Sequence, residues 1–120
     1  MADFLSAEWL AALNGDLREA GPPPIDEGAN TIRIVFELTD APSSMPHAIT
    51  FTVTPGGASV EVGDHLGADA VIRIDYRDGQ ALTKGTLTSA DAVRDGRFKI
   101  RGDVQGLRPL LSWILGAHAG

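Results

Sequence analysis

Between Thr31 and Thr39 the side chains alternate without a break, Ile32, Ile34, Phe36 and Leu38 against Thr31, Arg33, Val35, Glu37 and Thr39. A period of two sends successive side chains to opposite faces of a pleated strand, so one face of this segment must be covered while the other can meet water. The pattern recurs along the chain. Ile49, Phe51 and Val53 alternate with Thr50, Thr52 and Thr54; Ala58 to Val62 returns after a turn at Pro55-Gly56-Gly57; Ala70, Ile72, Ile74 and Tyr76 alternate with Val71, Arg73 and Asp75. The first three segments predict an antiparallel meander, because proline presets one backbone angle of the turn and glycine accepts the other. The last two predicted strands are Ala70 to Tyr76 and Arg97 to Arg101, the second alternating basic and apolar residues within Gly96-Arg97-Phe98-Lys99-Ile100-Arg101-Gly102-Asp103.

Helical spacing supplies the cover. Ser6 is placed to cap a first helix in which Leu5, Trp9, Leu13 and Leu17 recur every four residues, and Gly21-Pro22-Pro23-Pro24 ends it by withholding amide hydrogens. Two short helices are expected at Asp78 to Lys84 and Ser89 to Arg94, with Gly96 as terminator. A final helix carries Leu107, Leu110, Leu111, Ile114 and Leu115 along one side, and Pro109 fits its first turn if it begins near Gly106. Trp113 falls off that stripe. One apolar sheet face and several apolar helix stripes predict an α+β fold: a five-stranded, mostly antiparallel sheet with helices on one face, in a single domain over residues 1–120.

With 120 residues and 43% apolar content the chain can bury a core without covalent staples, and with no cysteine it has neither disulfides nor thiolate metal sites. A net charge of −6 argues against nucleic-acid binding, since a phosphate backbone repels an acidic field. The acid at Asp3 and the lack of a long apolar run give no signal peptide and no spanning helix, so a soluble, cytoplasmic protein is expected. His47, His65 and His118 have no metal-ligand spacing, no Gly-x-Ser-x-Gly elbow is present, and Gly56-Gly57 and the glycines at 63 and 67 lack the lysine of a phosphate loop. No metal, no cofactor and no catalytic residue is expected. Asp64-His65, with Tyr76, is the weak acid–base candidate that an isomerase or cyclase reading would use.

Asp69-Ala70-Val71-Ile72-Arg73-Ile74, then Leu82-Thr83-Lys84-Gly85-Thr86-Leu87, then Asp91-Ala92-Val93-Arg94-Asp95 running into Gly96 to Asp103, resembles the sterol carrier protein 2 (SCP2-like) domain family. The pattern is an acidic residue opening a strand, a short helix ending in glycine, a second short helix, and a strand of alternating basic and apolar residues closed by glycine and aspartate. The resemblance covers the C-terminal half by motif and the first half by element order. It implies a five-stranded sheet with helices on one face enclosing a hydrophobic tunnel, and binding or transfer of fatty acids, fatty acyl-CoA or sterol-like lipids. The chain end, Ala117-His118-Ala119-Gly120, departs from the Ser-Lys-Leu type of peroxisomal address.

Apart from Tyr76, the enclosed face has no titratable group, a composition that suits a lipid chain and a close-packed core alike. With the resemblance, the expected ligand-lining residues are Ile34, Phe36, Phe51, Ile72, Ile74, Tyr76, Phe98, Leu110, Leu111 and Ile114. The partners expected are a lipid or acyl ligand and, transiently, a membrane, because Arg73, Arg97, Lys99 and Arg101 form a basic strip on the outer face. Two other readings stand beside this one: a protein-interaction subunit with a filled core, and a small enzyme acting on a hydrophobic substrate.

Overall fold

The computed structural model describes residues 5–25, 28, 31–84, 86–102, 109–110 and 113–114. Helix α1 (Ala7–Glu19) begins where the Ser6 hydroxyl accepts the Trp9 amide at 3.1 Å, and it ends at Gly21, whose φ of +85° suits glycine. Five strands follow, β1 (Ile32–Thr39), β2 (Ala48–Thr54), β3 (Gly57–Val62), β4 (Ala70–Asp75) and β5 (Lys99–Gly102), with α2 (Tyr76–Lys84) and α3 (Ser89–Arg94) between the last two. Pro109, Leu110, Trp113 and Ile114 are also helical. The expected start of that helix near Gly106, and Leu107, Leu111 and Leu115 of its stripe, lie outside the described residues.

The sheet order is β3-β2-β1-β4-β5. β1–β2, β2–β3 and β4–β5 are antiparallel, and the central β1–β4 pair is parallel. The meander expected from the turn residues is present. To set β4 beside β1, residues 63–69 leave the edge strand β3, cross β2 and β1, and rejoin the sheet on the far side.

That crossing runs over the outer face. Val35 and Thr50 are register partners on that face, yet they are only 2% and 1% exposed. The Thr50 hydroxyl donates to the Gly63 carbonyl at 2.7 Å as the crossing begins. Where it ends, the Asp69 amide donates to the Arg33 carbonyl at 2.8 Å, and the Asp69 carboxylate accepts the Arg33 amide at 2.9 Å. The acidic residue that opens β4 therefore starts the parallel ladder by bonding both backbone groups of one β1 residue.

Local caps start both helices of the second half. The Asp75 carboxylate accepts the Arg77 amide at 2.9 Å, so the chain turns into α2 at Tyr76, which sequence periodicity had assigned to the end of β4. An aspartate competes for nearby amides in this way wherever it precedes a helix. The Thr88 hydroxyl accepts the Asp91 amide at 3.1 Å, and Gly96 with φ +70° ends the turn after α3.

The inner face holds one apolar cluster. Leu5, Trp9, Leu13 and Leu17 of the α1 stripe pack on Ile34, Phe36, Leu38, Ile49, Phe51, Val53, Val60, Ile72 and Ile74. Val62, which alternation with Val60 and pairing with Ile49 put on this face, is 48% exposed, because it ends the edge strand just before the chain swings outward. At the same edge, the Asn14 side chain seals β3. Its Nδ2 donates to the Val60 carbonyl at 3.1 Å and its Oδ1 accepts the Val60 amide at 2.8 Å, replacing the neighbouring strand that an edge lacks. An asparagine inside a helix is locally unfavourable, and this two-point contact explains its presence.

Replacing Asn14 with alanine removes the partners of both Val60 backbone groups, and it should lower the unfolding free energy by about 1–3 kcal/mol, read by urea denaturation. Gly102 has φ +114°, and a Cβ there would collide with the Asp69 carbonyl and stand 2.9 Å from the Ala70 Cα. Gly102→Ala should therefore cost more than about 1 kcal/mol in the same assay.

Candidate functional site

The residues expected to line a ligand site come together as neighbours in the sheet. Ile34 faces Phe51 across β1–β2, and Phe36 faces Ile72 across β1–β4. Next along that pair Leu38 faces Ile74, and across β4–β5 Ile72 faces Ile100. The rings of Phe36 and Phe51 meet edge to face with centroids 5.3 Å apart, an arrangement that aromatic quadrupoles favour. Leu110 and Ile114 bring the apolar side of the last helical stretch into the same cluster, and both are buried.

Tyr76 and Phe98 are placed differently. Both are partly buried at the margin of the cluster, where Leu82 of α2 and Trp113 also sit. Trp113, off the helical stripe in the sequence, thus packs at the rim of the core. Leu111, the tenth expected residue, lies outside the described residues. The result is an apolar layer between sheet and helices with a partly exposed margin, Tyr76, Leu82 and Phe98 on the β4–α2–β5 side and Leu10, Ile25, Met45 and Ala58 elsewhere around it. Its buried members are all hydrocarbon side chains apart from the indole of Trp9, so the layer offers burial of apolar surface as its chemistry.

The acid–base candidates do not converge. Asp64 and His65 belong to the crossing segment on the outer face, where the His65 ring nitrogen Nδ1 lies 2.6 Å from the Leu66 carbonyl. Tyr76 stands at the rim of the inner layer, with the sheet between it and them. Among the described residues, no three His, Asp or Glu side chains are grouped to hold a metal ion.

Of the four residues of the expected basic strip, Arg73, Lys99 and Arg101 share the outer face, whereas Arg97 precedes β5 and pairs with Asp78 of α2. β4–β5 pairing sets Arg73 beside Lys99 and Val71 beside Arg101, around an outer-face groove of about 210 Å³. Arg73 donates through Nε and Nη2 to the Glu37 carboxylate at 3.2 and 3.0 Å, and Arg97 donates to Asp78 at 2.7 Å. Lys99 and Arg101 are exposed and have no ion-pair partner among the described residues.

A second cleft, of about 550 Å³, opens between the end of α1 and the β2–β3 turn. Leu17, Arg18, Thr52, Thr54 and Ser59 are among its walls. Sequence reasoning did not single it out, because its walls meet only when α1 is laid across the edge of the sheet. Neither cleft is lined by any of the ten expected ligand residues.

Comparison with known proteins agrees with this architecture. The model of the SCP-2 sterol transfer family matches residues 26–110, and the chain belongs to that family. Lipid binding or transfer is the general activity that membership carries. A crystal structure of sterol carrier protein 2 superposes with a TM-score of 0.64 at 16% identity, covering 98% of each chain. The solution structure of palmitated SCP2L2 from Aedes aegypti gives 0.62 at 18% identity over 91% of this chain and 94% of that one. The sec-alkylsulfatase Pisa1 from Pseudomonas sp. shares the fold over 70% of this chain but only 12% of its own, with a TM-score of 0.50 and 18% identity. No curated protein matches the sequence.

Since His65 is exposed on the outer face and remote from the apolar layer, His65→Ala should change stability by less than about 0.5 kcal/mol. It should also leave the uptake of apolar molecules unaltered, as checked by urea denaturation and dye binding side by side.

Proposed function

We propose that this protein is a non-catalytic carrier that holds a fatty acid, fatty acyl-CoA or sterol-like lipid between the inner face of its sheet and the covering helices. The observation that carries this reading is the apolar layer itself, continuous from Ile34 and Phe51 through Phe36, Ile72 and Ile74 to Leu110 and Ile114. Tyr76, Phe98 and the nearby Leu82 and Trp113 form the rim through which a ligand passes, and Leu111 is assigned to the lining by its place in the sequence stripe alone. Family membership supports the ligand class, and a relative of like fold is described as palmitated.

The physical case rests on magnitudes. Each methylene taken from water contributes about 0.8 kcal/mol, so a long acyl chain is held without a dedicated polar partner and with loose selectivity. Such a ligand displaces or reorders side chains that pack on one another in its absence, and partly buried residues at the rim are the ones least costly to move.

Native mass spectrometry of freshly purified protein, followed by titration with a fluorescent fatty acid, tests the reading. Bound lipid or saturable binding is expected; if both show nothing, the carrier reading fails and a protein-interaction subunit with a filled core takes its place. Within a series of saturated fatty acids, each pair of added methylenes should tighten binding by roughly tenfold until the chain outgrows the layer. Tyr76→Phe should shift affinity by less than about threefold, because the hydroxyl adds little to what hydrocarbon burial supplies.

A further inference from the structure

The charge of the chain is divided along the sheet. Residues 1–69 carry two Arg or Lys against eleven Asp or Glu, a net of −9, whereas residues 70–102 carry seven against four, a net of +3. The first stretch supplies α1, β1, β2 and β3, and the second supplies β4, α2, α3 and β5. Because the order is β3-β2-β1-β4-β5, a spatial division follows among the described residues: Glu8, Asp16, Glu19 and Glu61 stand on α1 and β3 at one end, and Lys99 and Arg101 stand on β5 at the other.

Ion pairing sharpens the basic end. Glu37 occupies Arg73, Asp78 and Asp95 occupy Arg97, and Asp91 and Asp95 occupy Arg94. Among the described residues four exposed cations of this stretch have no ion-pair partner, Arg77 and Lys84 of α2 and Lys99 and Arg101 of β5, and the last two share one face of the edge strand beside the groove at Val71 and Arg73. On the opposite face of the same strand lie Ile100 and, just before it, Phe98 at the rim of the apolar layer.

We propose that the β4–β5 end of the molecule docks on the anionic surface of a lipid bilayer through Lys99 and Arg101. The inference rests on the carrier reading for its purpose, since docking by this edge sets the Tyr76–Leu82–Phe98 rim against the membrane. Charge complementarity selects the occupant and the orientation together. An anionic plane attracts the unpaired cations of β5 and repels the acidic β3 end, so a protein of net negative charge approaches by one edge. The aromatic side chains of that edge then reach the interfacial region, where amphipathic rings are favoured.

The test uses the full chain with vesicles of phosphatidylcholine alone and of an equimolar phosphatidylcholine–phosphatidylglycerol mixture, read by co-sedimentation. Binding to the anionic vesicles only, weakening as salt is raised, is expected. The K99Q/R101Q variant should lose about thirtyfold in partitioning, taking about 1 kcal/mol for each cation near the surface. R18Q, at the other end of the sheet, should change it by less than about twofold, and fatty-acid affinity in solution should be unaltered in both variants. Equal binding to both vesicle types, or an equal loss in R18Q, overturns the proposal. Retention on polyglutamate without vesicle binding also overturns it, and assigns the strip to an acidic protein. If the wild type takes up fatty acid but ignores vesicles, only this inference falls; if it docks but takes up no fatty acid, only the carrier reading falls.

Discussion

The contact between Asp69 and Arg33 is where the two parts of this sheet are joined. β1, β2 and β3 form a meander held by neighbouring turns, and β4 with β5 forms a second unit linked by two helices. A parallel ladder has no turn to fix its register. Here the register is set by Asp69, whose amide and carboxylate bond the carbonyl and amide of Arg33, and it is held by Gly102, which lets β5 close over the Asp69 carbonyl. Once that join is made, Phe36 is beside Ile72 and Leu38 beside Ile74, and the apolar face becomes continuous from one edge to the other.

Everything functional in the molecule follows from having one continuous apolar face with different treatment of its two edges. At β3 the edge is closed, with α1 laid along it and the Asn14 amide standing in for a missing strand. At β5 the edge is short and carries Lys99 and Arg101, and the residues beside it on the inner side are only partly covered. Charged side chains on an edge discourage pairing with other strands. The two ends therefore differ in backbone pairing and in charge, while a cleft beside the β2–β3 turn and the exposed Val62 keep the β3 end from being fully covered.

Much of this was legible in the sequence for a local reason. Apolar period-two runs gave β1, β2 and β4 to within a residue or so, the Ser6 cap and the Leu5-Trp9-Leu13-Leu17 stripe gave α1, and Ser89 to Arg94 appeared as read. Nine of the ten residues expected to line the ligand layer lie in or at the rim of the described apolar cluster. The misreadings have equally specific causes. Tyr76 obeys strand alternation, but the Asp75 cap outweighs it; Val62 obeys it too, but nothing reaches far enough to cover it. Val35 and Thr50 looked like solvated outer-face residues and are buried, because no local pattern announces that a segment will pass over them.

The amino-acid order by itself settled which residues become strand or helix and which side of each turns inward, because periodicity, caps and turns act over a few neighbouring residues. Only the folded chain decided that β4 lies parallel to β1, that residues 63–69 cross the outer face, that Asn14 seals an edge, and that a sequence division of charge becomes a division of space. Those outcomes depend on groups 36 and 46 residues apart finding one another, the backbone of Arg33 with Asp69 and the Asn14 side chain with the backbone of Val60. Pairing over such separations is selected by the burial of the whole apolar face, a cooperative gain that no short stretch of sequence contains.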